Sequence, residues 1–212
     1  MNVNIRRLNQ VEYETARQAM CDFTERRDGT TDDEIWLLQH PPVFTQGQAG
    51  KKEHLLKPGT IPVIKTERGG QITYHGPGQL ICYVLLNLRR LDLTIKNLVR
   101  LIEQSVIDLL NQFGITSERR DNAPGIYVDK AKISALGLRV RKGCTFHGLA
   151  LNVNMDLEPF SRINPCGFPG MAVTQMSDLG IDPGIRETGN ELIKILCDHL
   201  QYSSTTISKK LP

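Results

Sequence analysis

The chain has 212 residues, of which 40% are hydrophobic and 23% charged, with a formal net charge of +3. These are ordinary values for a soluble chain forming a single domain over residues 1–212, with at most a small appendage. The charge is too small to mark a nucleic-acid footprint, and no stretch approaches the roughly 20 apolar residues needed to span a bilayer.

Five cysteines without framework spacing predict reduced thiols in a cytoplasmic setting rather than a disulfide scaffold. The opening run MNVNIRRLNQVEYE has no continuous apolar core, so it does not read as a secretory signal. Its acidic residues, from Glu12 on, argue against a long transit peptide.

Residues 3 to 8 read as a short strand. From about Gln10 to Arg27 the pattern is helical, with Val11, Thr15, Ala19 and Phe23 recurring every fourth residue. Asp28-Gly29-Thr30 ends it, the glycine taking its usual C-terminal role. Glu34 to His40 is a short apolar strand stopped by Pro41-Pro42. Val43 to Gly50 reads as a strand end and an exposed loop, and residues 50 to 60 as a polar, mobile segment. Ile61 to Lys65 is another strand.

It leads into RGGQITYHGPGQL, Arg68 to Leu80, with four glycines in thirteen positions. This stretch reads as a loop, a strand from Gln71 to Tyr74, a tight Gly-Pro-Gly turn, and a strand from Leu80 to Leu88. Glycines let backbone approach backbone or ligand, and their N–H groups can bind an anion or a carbonyl oxygen. A structural hairpin and a ligand loop both fit. The near-continuous apolar run of Leu80 to Leu88 predicts a strand covered on both faces.

Thr94 to Phe113 is the clearest helix. Ile95, Leu98, Ile102, Val106, Leu109 and Phe113 sit at steps of three or four, Thr94 is the N-cap, and Gly114 ends it. Three strands follow, Gly125 to Val128, Ile133 to Val140 and Phe146 to Val153, the second turn being Arg141-Lys142-Gly143. A Pro/Gly-dense loop, INPCGFPGMAV, precedes a helix from Pro183 to about Tyr202 with Ile185, Leu192, Ile195 and Leu200 on its apolar face. The tail STTISKKLP reads as frayed. The fold class is α/β (α+β), a mixed sheet with helices packed on it.

Among candidate reactive groups, Cys21, Cys82 and Cys197 fall inside helical or strand patterns and read as small buried hydrophobes. Cys144 and His147 have C-x-x-H spacing, but two ligands do not make a metal site. Cys166 lies in Asn164-Pro165-Cys166-Gly167, a loop that no core requirement explains. A thiol there can be aimed, and its activation requires a neighbouring base or cation. His75, His147 and Lys132 are the candidates, and spacing does not choose between them. A buried lysine can lose its proton and act as a base.

RGGQITYHGPGQL, together with AKISALGLRVRKGCTFHGLALNVNMDLEPFSRINPCG, resembles the signature blocks of the lipoyl(octanoyl) transferases in order and spacing, over roughly residues 30 to 180. The resemblance implies a catalytic domain like that of biotin and lipoate protein ligases. It implies that Cys166 accepts an acyl group and that Lys132 lowers the thiol pKa and relays protons. Octanoyl would arrive as a thioester on the phosphopantetheine of an acyl carrier protein. It would leave on a lysine of the lipoyl domains of 2-oxoacid dehydrogenase E2 subunits or of the glycine-cleavage H protein. No ATP, metal or other cofactor is expected, and a monomer is the default.

The family's substrate-binding positions carry over onto Arg68, Gly69, Gly70, Gln71, Ile72, Thr73, Tyr74 and His75. They continue on Ala135, Leu136 and Gly137, and on Gly148, Leu149 and Ala150. Backbone N–H groups of the glycine-rich turns are the expected oxyanion donors. Ser134 stands where the family commonly has alanine. Two rival readings remain: an ATP-dependent lipoate or biotin protein ligase, and a non-catalytic acyl-protein binding module. Arg89-Arg90, Arg119-Arg120 and Arg139 to Lys142 are basic clusters that suit acidic partner proteins or simply solvent.

Overall fold

The computed structural model describes residues 1–121 and 123–212. The chain opens with β1 (Asn2–Gln10), α1 (Tyr13–Arg26), β2 (Asp33–Gln39) and β3 (Val43–Gln46). Next come β4 (Val63–Lys65), β5 (Ile72–His75), β6 (Gln79–Leu85), α2 (Ile95–Gln112) and β7 (Glu118–Arg119). The remainder is β8 (Ile126–Val128), β9 (Ala131–Arg141), β10 (Cys144–Asn152), α3 (Gly184–His199) and β11 (Ser204–Ser208).

Eight strands form one mixed sheet in the order β11-β1-β2-β6-β10-β9-β8-β7, and β4-β3-β5 form a second, smaller one. β6 lies near the middle, antiparallel to both β2 and β10. Its side chains alternate between two cores, as successive strand residues must. Leu80, Cys82 and Val84 join the core built with α2 and α3, while Ile81, Tyr83 and Leu85 join the core under α1. A third cluster, Phe44, Ile72, Tyr74 and Phe160 among its members, packs the small sheet on the turn at Glu158–Arg162.

α2 forms as its spacing predicts. The Thr94 hydroxyl accepts the Asn97 N–H, and Leu98, Ile102, Val106 and Leu109 are fully buried. Gly114, at φ 77°, then leaves the helix.

Several expectations are corrected. α1 buries Tyr13, Ala16, Met20 and Phe23, a three-four spacing that leaves Thr15 exposed. Its end is set by extended backbone at Arg27 and by the Asp28 carboxylate, which accepts from the N–H and hydroxyl groups of Thr30 and Thr31, without a left-handed glycine. Val43 to Gln46 is a full strand of its own, wholly buried at the centre of the small sheet, and the exposed loop follows at Gln48 and Ala49. The tail is not frayed through its first half: β11 pairs in parallel with β1, Asn2 opposite Ser204. The Gly-Pro-Gly turn closes no hairpin, because β5 pairs with β3 in the small sheet and β6 with β2 and β10 in the large one. The turn is the hinge between the two sheets. Gly78 makes it possible, since a Cβ there would lie 1.8 Å from the Asn154 carbonyl oxygen at φ 85°.

Candidate active site

Cys166 sits on a single 3-10 turn, Pro165–Gly167, where the two sheets meet. Its backbone is left-handed, φ 55°, ψ 16°, followed by Gly167 at φ 81°. A left-handed non-glycine residue costs of order 1 kcal/mol and persists only where its surroundings hold it. Here the Asn164 N–H donates to the His54 carbonyl (2.8 Å) and the Gly167 N–H to the Asn164 carbonyl (2.9 Å).

Lys132, the second residue of β9, is 4% exposed. Its N–H donates to the Ala172 carbonyl (2.8 Å) and its carbonyl accepts from Thr174 (3.0 Å), so the segment following the Cys166 loop clamps the strand. Lys132 Nζ donates to Cys166 Sγ (3.0 Å) and to the Pro124 carbonyl (2.9 Å), and lies 5.1 Å from the Tyr127 ring centroid. Burial alone draws Lys132 toward the neutral amine. The sulfur's negative charge and hydrogen bond, aided by Tyr127, outweigh it and raise its pKa above the usual lysine value. Beside the charged sulfur the ammonium form of Lys132 is the favoured one. An ammonium at this distance stabilises a thiolate.

Among the described residues, no other cysteine is hydrogen-bonded to a lysine side chain. Burial pushes Cys197 up to about 11 and Cys82 higher still, and burial with the Glu67 carboxylate alongside takes Cys21 to about 11. Cys144 lies against the Lys142 carbonyl.

From Cys166 a slot runs between the Arg68–His75 segment and strands β6, β9 and β10. Its floor is lined by small residues, because Ala135 faces Ala150 and Gly137 faces Gly148 across the β9–β10 ladder. A Cβ on Gly148 would lie 2.0 Å from the Cys82 carbonyl oxygen, so this strip stays bare for packing reasons as well. Arg68, Gly70, Gln71, Ile72, Thr73 and His75 line the slot, as do Ala135, Leu136 and Gly137, and Gly148, Leu149 and Ala150. Two expected positions do not. Gly69 spends its N–H on the Leu138 carbonyl (2.9 Å), docking the loop on β9. Tyr74 points the other way, edge-on to Phe160 in the third core cluster.

Arg68 organises the loop from inside. Its guanidinium donates to the carbonyls of Thr45 (2.5 Å), Gln71 (2.8 Å) and Gly69 (2.8 Å) and to the Thr45 hydroxyl. That hydroxyl can then donate only onward, to His75 Nε2 (3.2 Å), while His75 Nδ1–H donates to Gln79 Oε1 (2.7 Å). Both ring nitrogens of His75 are thus engaged away from Cys166, and burial holds its pKa well below the usual value. His147, at φ 61°, bonds Glu67 Oε1 through Nε2 (3.1 Å); burial lowers its pKa although Glu67 opposes this. Of the three candidate activators, only Lys132 contacts the thiol. Ser134 donates its hydroxyl to the Ala150 carbonyl (2.9 Å), bracing the slot floor.

Sequence reasoning missed Tyr13, Ile81 and Tyr83, which also line the slot, and His40, which bonds Tyr83 Oη through Nε2 (2.6 Å). They come from α1, β6 and the end of β2, outside the glycine-rich blocks. The one available signal was a tyrosine and a histidine in otherwise apolar segments.

Fold and site together define an α/β chain that places a cation-paired thiol at the mouth of an apolar slot. The model of the lipoyl protein ligase A/B catalytic domain matches residues 12–197, and the chain belongs to that family. An octanoyltransferase of Dechloromonas aromatica is 55% identical over 94% of this chain and 98% of its own length. One of Pseudomonas fluorescens is 54% identical over 96% and 95%. Among solved structures, lipoate-protein ligase A bound with ATP is similar in fold, with a TM-score of 0.78 at 19% identity over 99% of this chain and 89% of that one. Biotin protein ligase from Aquifex aeolicus follows with a TM-score of 0.62 at 16% identity over 93% and 70%.

Proposed function

We propose that the chain is an octanoyltransferase working through a thioester on Cys166. The carrying observation is the 3.0 Å contact between Lys132 Nζ and Cys166 Sγ at the mouth of an apolar slot, in a chain 55% identical to a relative named octanoyltransferase.

The Cys166 thiolate attacks the thioester carbonyl of octanoyl carried on the phosphopantetheine of an acyl carrier protein. The tetrahedral intermediate expels the pantetheine sulfur, which takes a proton from the Lys132 ammonium, leaving octanoyl on Cys166. Lys132, now neutral, accepts a proton from the incoming lysine amine of a lipoyl domain as that nitrogen attacks. Collapse to the amide releases the Cys166 thiolate beside the restored ammonium. Thioester exchange is near isoenergetic and thioester to amide is downhill, so the reading needs neither ATP nor metal. Covalent catalysis divides one transfer between two proteins into two encounters.

The partners in this reading are octanoyl carrier protein and the lipoyl domains of 2-oxoacid dehydrogenase E2 subunits and glycine-cleavage H protein, met by a monomer in the cytoplasm. Among the described residues no helix is long and apolar enough to cross a membrane. Purified protein should octanoylate a lipoyl domain from octanoyl carrier protein with no nucleotide present. Transfer only from free octanoate with ATP and magnesium would assign the ligase chemistry instead.

A further inference from the structure

A groove lies on the far side of Pro124 from the dyad. It is lined by Ile95, Lys96, Val99 and Arg100 of α2, with Arg119, Arg120 and Pro124 opposite. On α2 the spacing puts Ile95 and Val99 in one row and Lys96 and Arg100 in the adjacent one, a four-residue step each. Ile95 is 40% exposed and Val99 half-buried beside it, on the face of α2 away from the buried Leu98, Ile102, Val106 and Leu109. Glu103 and Asp121 also line the groove, leaving four cations against two carboxylates.

The charges are not equally committed. Arg119 pairs with Glu103 (3.2 Å) and Arg120 with Glu118 (3.7 Å). Among the described residues, neither Lys96 nor Arg100 has a carboxylate within 4.0 Å. The groove also abuts the chemistry. The Pro124 carbonyl accepts from Lys132 Nζ (2.9 Å), and Arg120 lies 4.5 Å over the ring of Tyr127, which also neighbours Lys132 Nζ (5.1 Å).

We propose that this groove docks an acidic amphipathic helix of the acyl carrier, its apolar side on Ile95 and Val99 and its carboxylates on Lys96 and Arg100. The assignment rests on the octanoyltransferase reading. It favours the donor over the acceptor on reach. An acyl group on a long flexible arm can enter from a carrier seated one residue away from the dyad. A lysine amine on a lipoyl domain has only its own side chain and must dock over Cys166 itself. Charge complementarity of this kind acts chiefly on encounter rate and partner choice.

The test is steady-state transfer to a lipoyl domain by the parent and by K96E/R100E, using two donors: octanoyl carrier protein and octanoyl-pantetheine. Charge reversal should raise KM for the carrier-borne donor about ten-fold and flatten its salt dependence. It should leave kcat/KM for octanoyl-pantetheine and KM for the lipoyl domain unchanged. Equal behaviour of variant and parent with both donors overturns the docking site alone, as does a loss shared by both donors or a rise confined to the lipoyl-domain KM. A parent idle with both donors overturns the octanoyltransferase reading, and the docking site with it.

Discussion

Lys132 and Cys166 are 34 residues apart in the chain and 3.0 Å apart in space. Two features enforce this: a left-handed turn at the cysteine, and a strand whose main chain is pinned on both sides of the lysine by Ala172 and Thr174. The pair is built into the join between the sheets.

Removing either member has separable consequences. Cys166→Ala should lower octanoyl transfer by at least about three orders of magnitude. Lys132→Ala should slow iodoacetamide alkylation of Cys166 at pH 7 about ten-fold, by withdrawing the charge that favours thiolate. Lys132→Arg should recover much of the alkylation but little of the transfer, because arginine keeps its proton. Alkylation of Lys132→Ala at the parent's rate would remove the lysine from the mechanism.

Arg68 should not tolerate lysine. A single ammonium cannot reach the carbonyls of Thr45, Gln71 and Gly69 together in the planar fork that the guanidinium uses. Arg68→Lys should cost about 2 kcal/mol by leaving buried carbonyls unpaired. It should also raise KM for the acyl donor as the slot wall loosens. Urea unfolding and a KM measurement check both, and an unchanged midpoint contradicts the role given to the fork.

Two glycines offer a controlled comparison. Gly148→Ala places a Cβ 2.0 Å from backbone and should destabilise by more than about 3 kcal/mol. A methyl on Gly114 would meet nothing within 4 Å, but the backbone there has a φ of 77°, so Gly114→Ala should cost only about 1 kcal/mol. Similar denaturation midpoints for the two variants would contradict the packing of β10 on β6.

Stability should fall on mild acidification. Burial lowers His40 to about 4, His75 well below 6.5, and His147 in the same direction. Below pH 6.5 the unfolded chain binds protons on these residues that the folded chain refuses. Their contribution is therefore complete above that pH and is lost as pH drops toward about 4. Each histidine adds a slope of at most about 1.4 kcal/mol per pH unit. Glu67, held at about 2 chiefly by the hydrogen bond from His147, is lost in the same direction between pH 4.5 and 2. A urea midpoint that stays flat or rises between pH 7 and 5 would contradict the buried, neutral histidines.

Much of this site was legible because its reactive residues sit in compact blocks dense in glycine and proline. α2 was legible because cap, spacing and terminating glycine agree. What stayed hidden depends on distant contacts. β11 has no apolar alternation of its own and exists because β1, 202 residues earlier, offers an edge. The face of α1 was misassigned because Val11 and Ala19 fit the four-residue step as well as Tyr13 and Met20 fit the true one. Spacing left three activators open for Cys166. The choice fell to Lys132 because His75 and His147 are tied to Thr45, Gln79 and Glu67, residues outside the thiol's segment.

The central claim is an acyl-enzyme on Cys166. Intact-protein mass spectrometry after mixing with octanoyl carrier protein, with no lipoyl domain present, tests it most directly. The predicted result is one octanoyl adduct, absent in Cys166→Ala and released by hydroxylamine. No adduct, in a protein that still octanoylates a lipoyl domain when one is added, would mean direct transfer and would contradict the covalent role of Cys166.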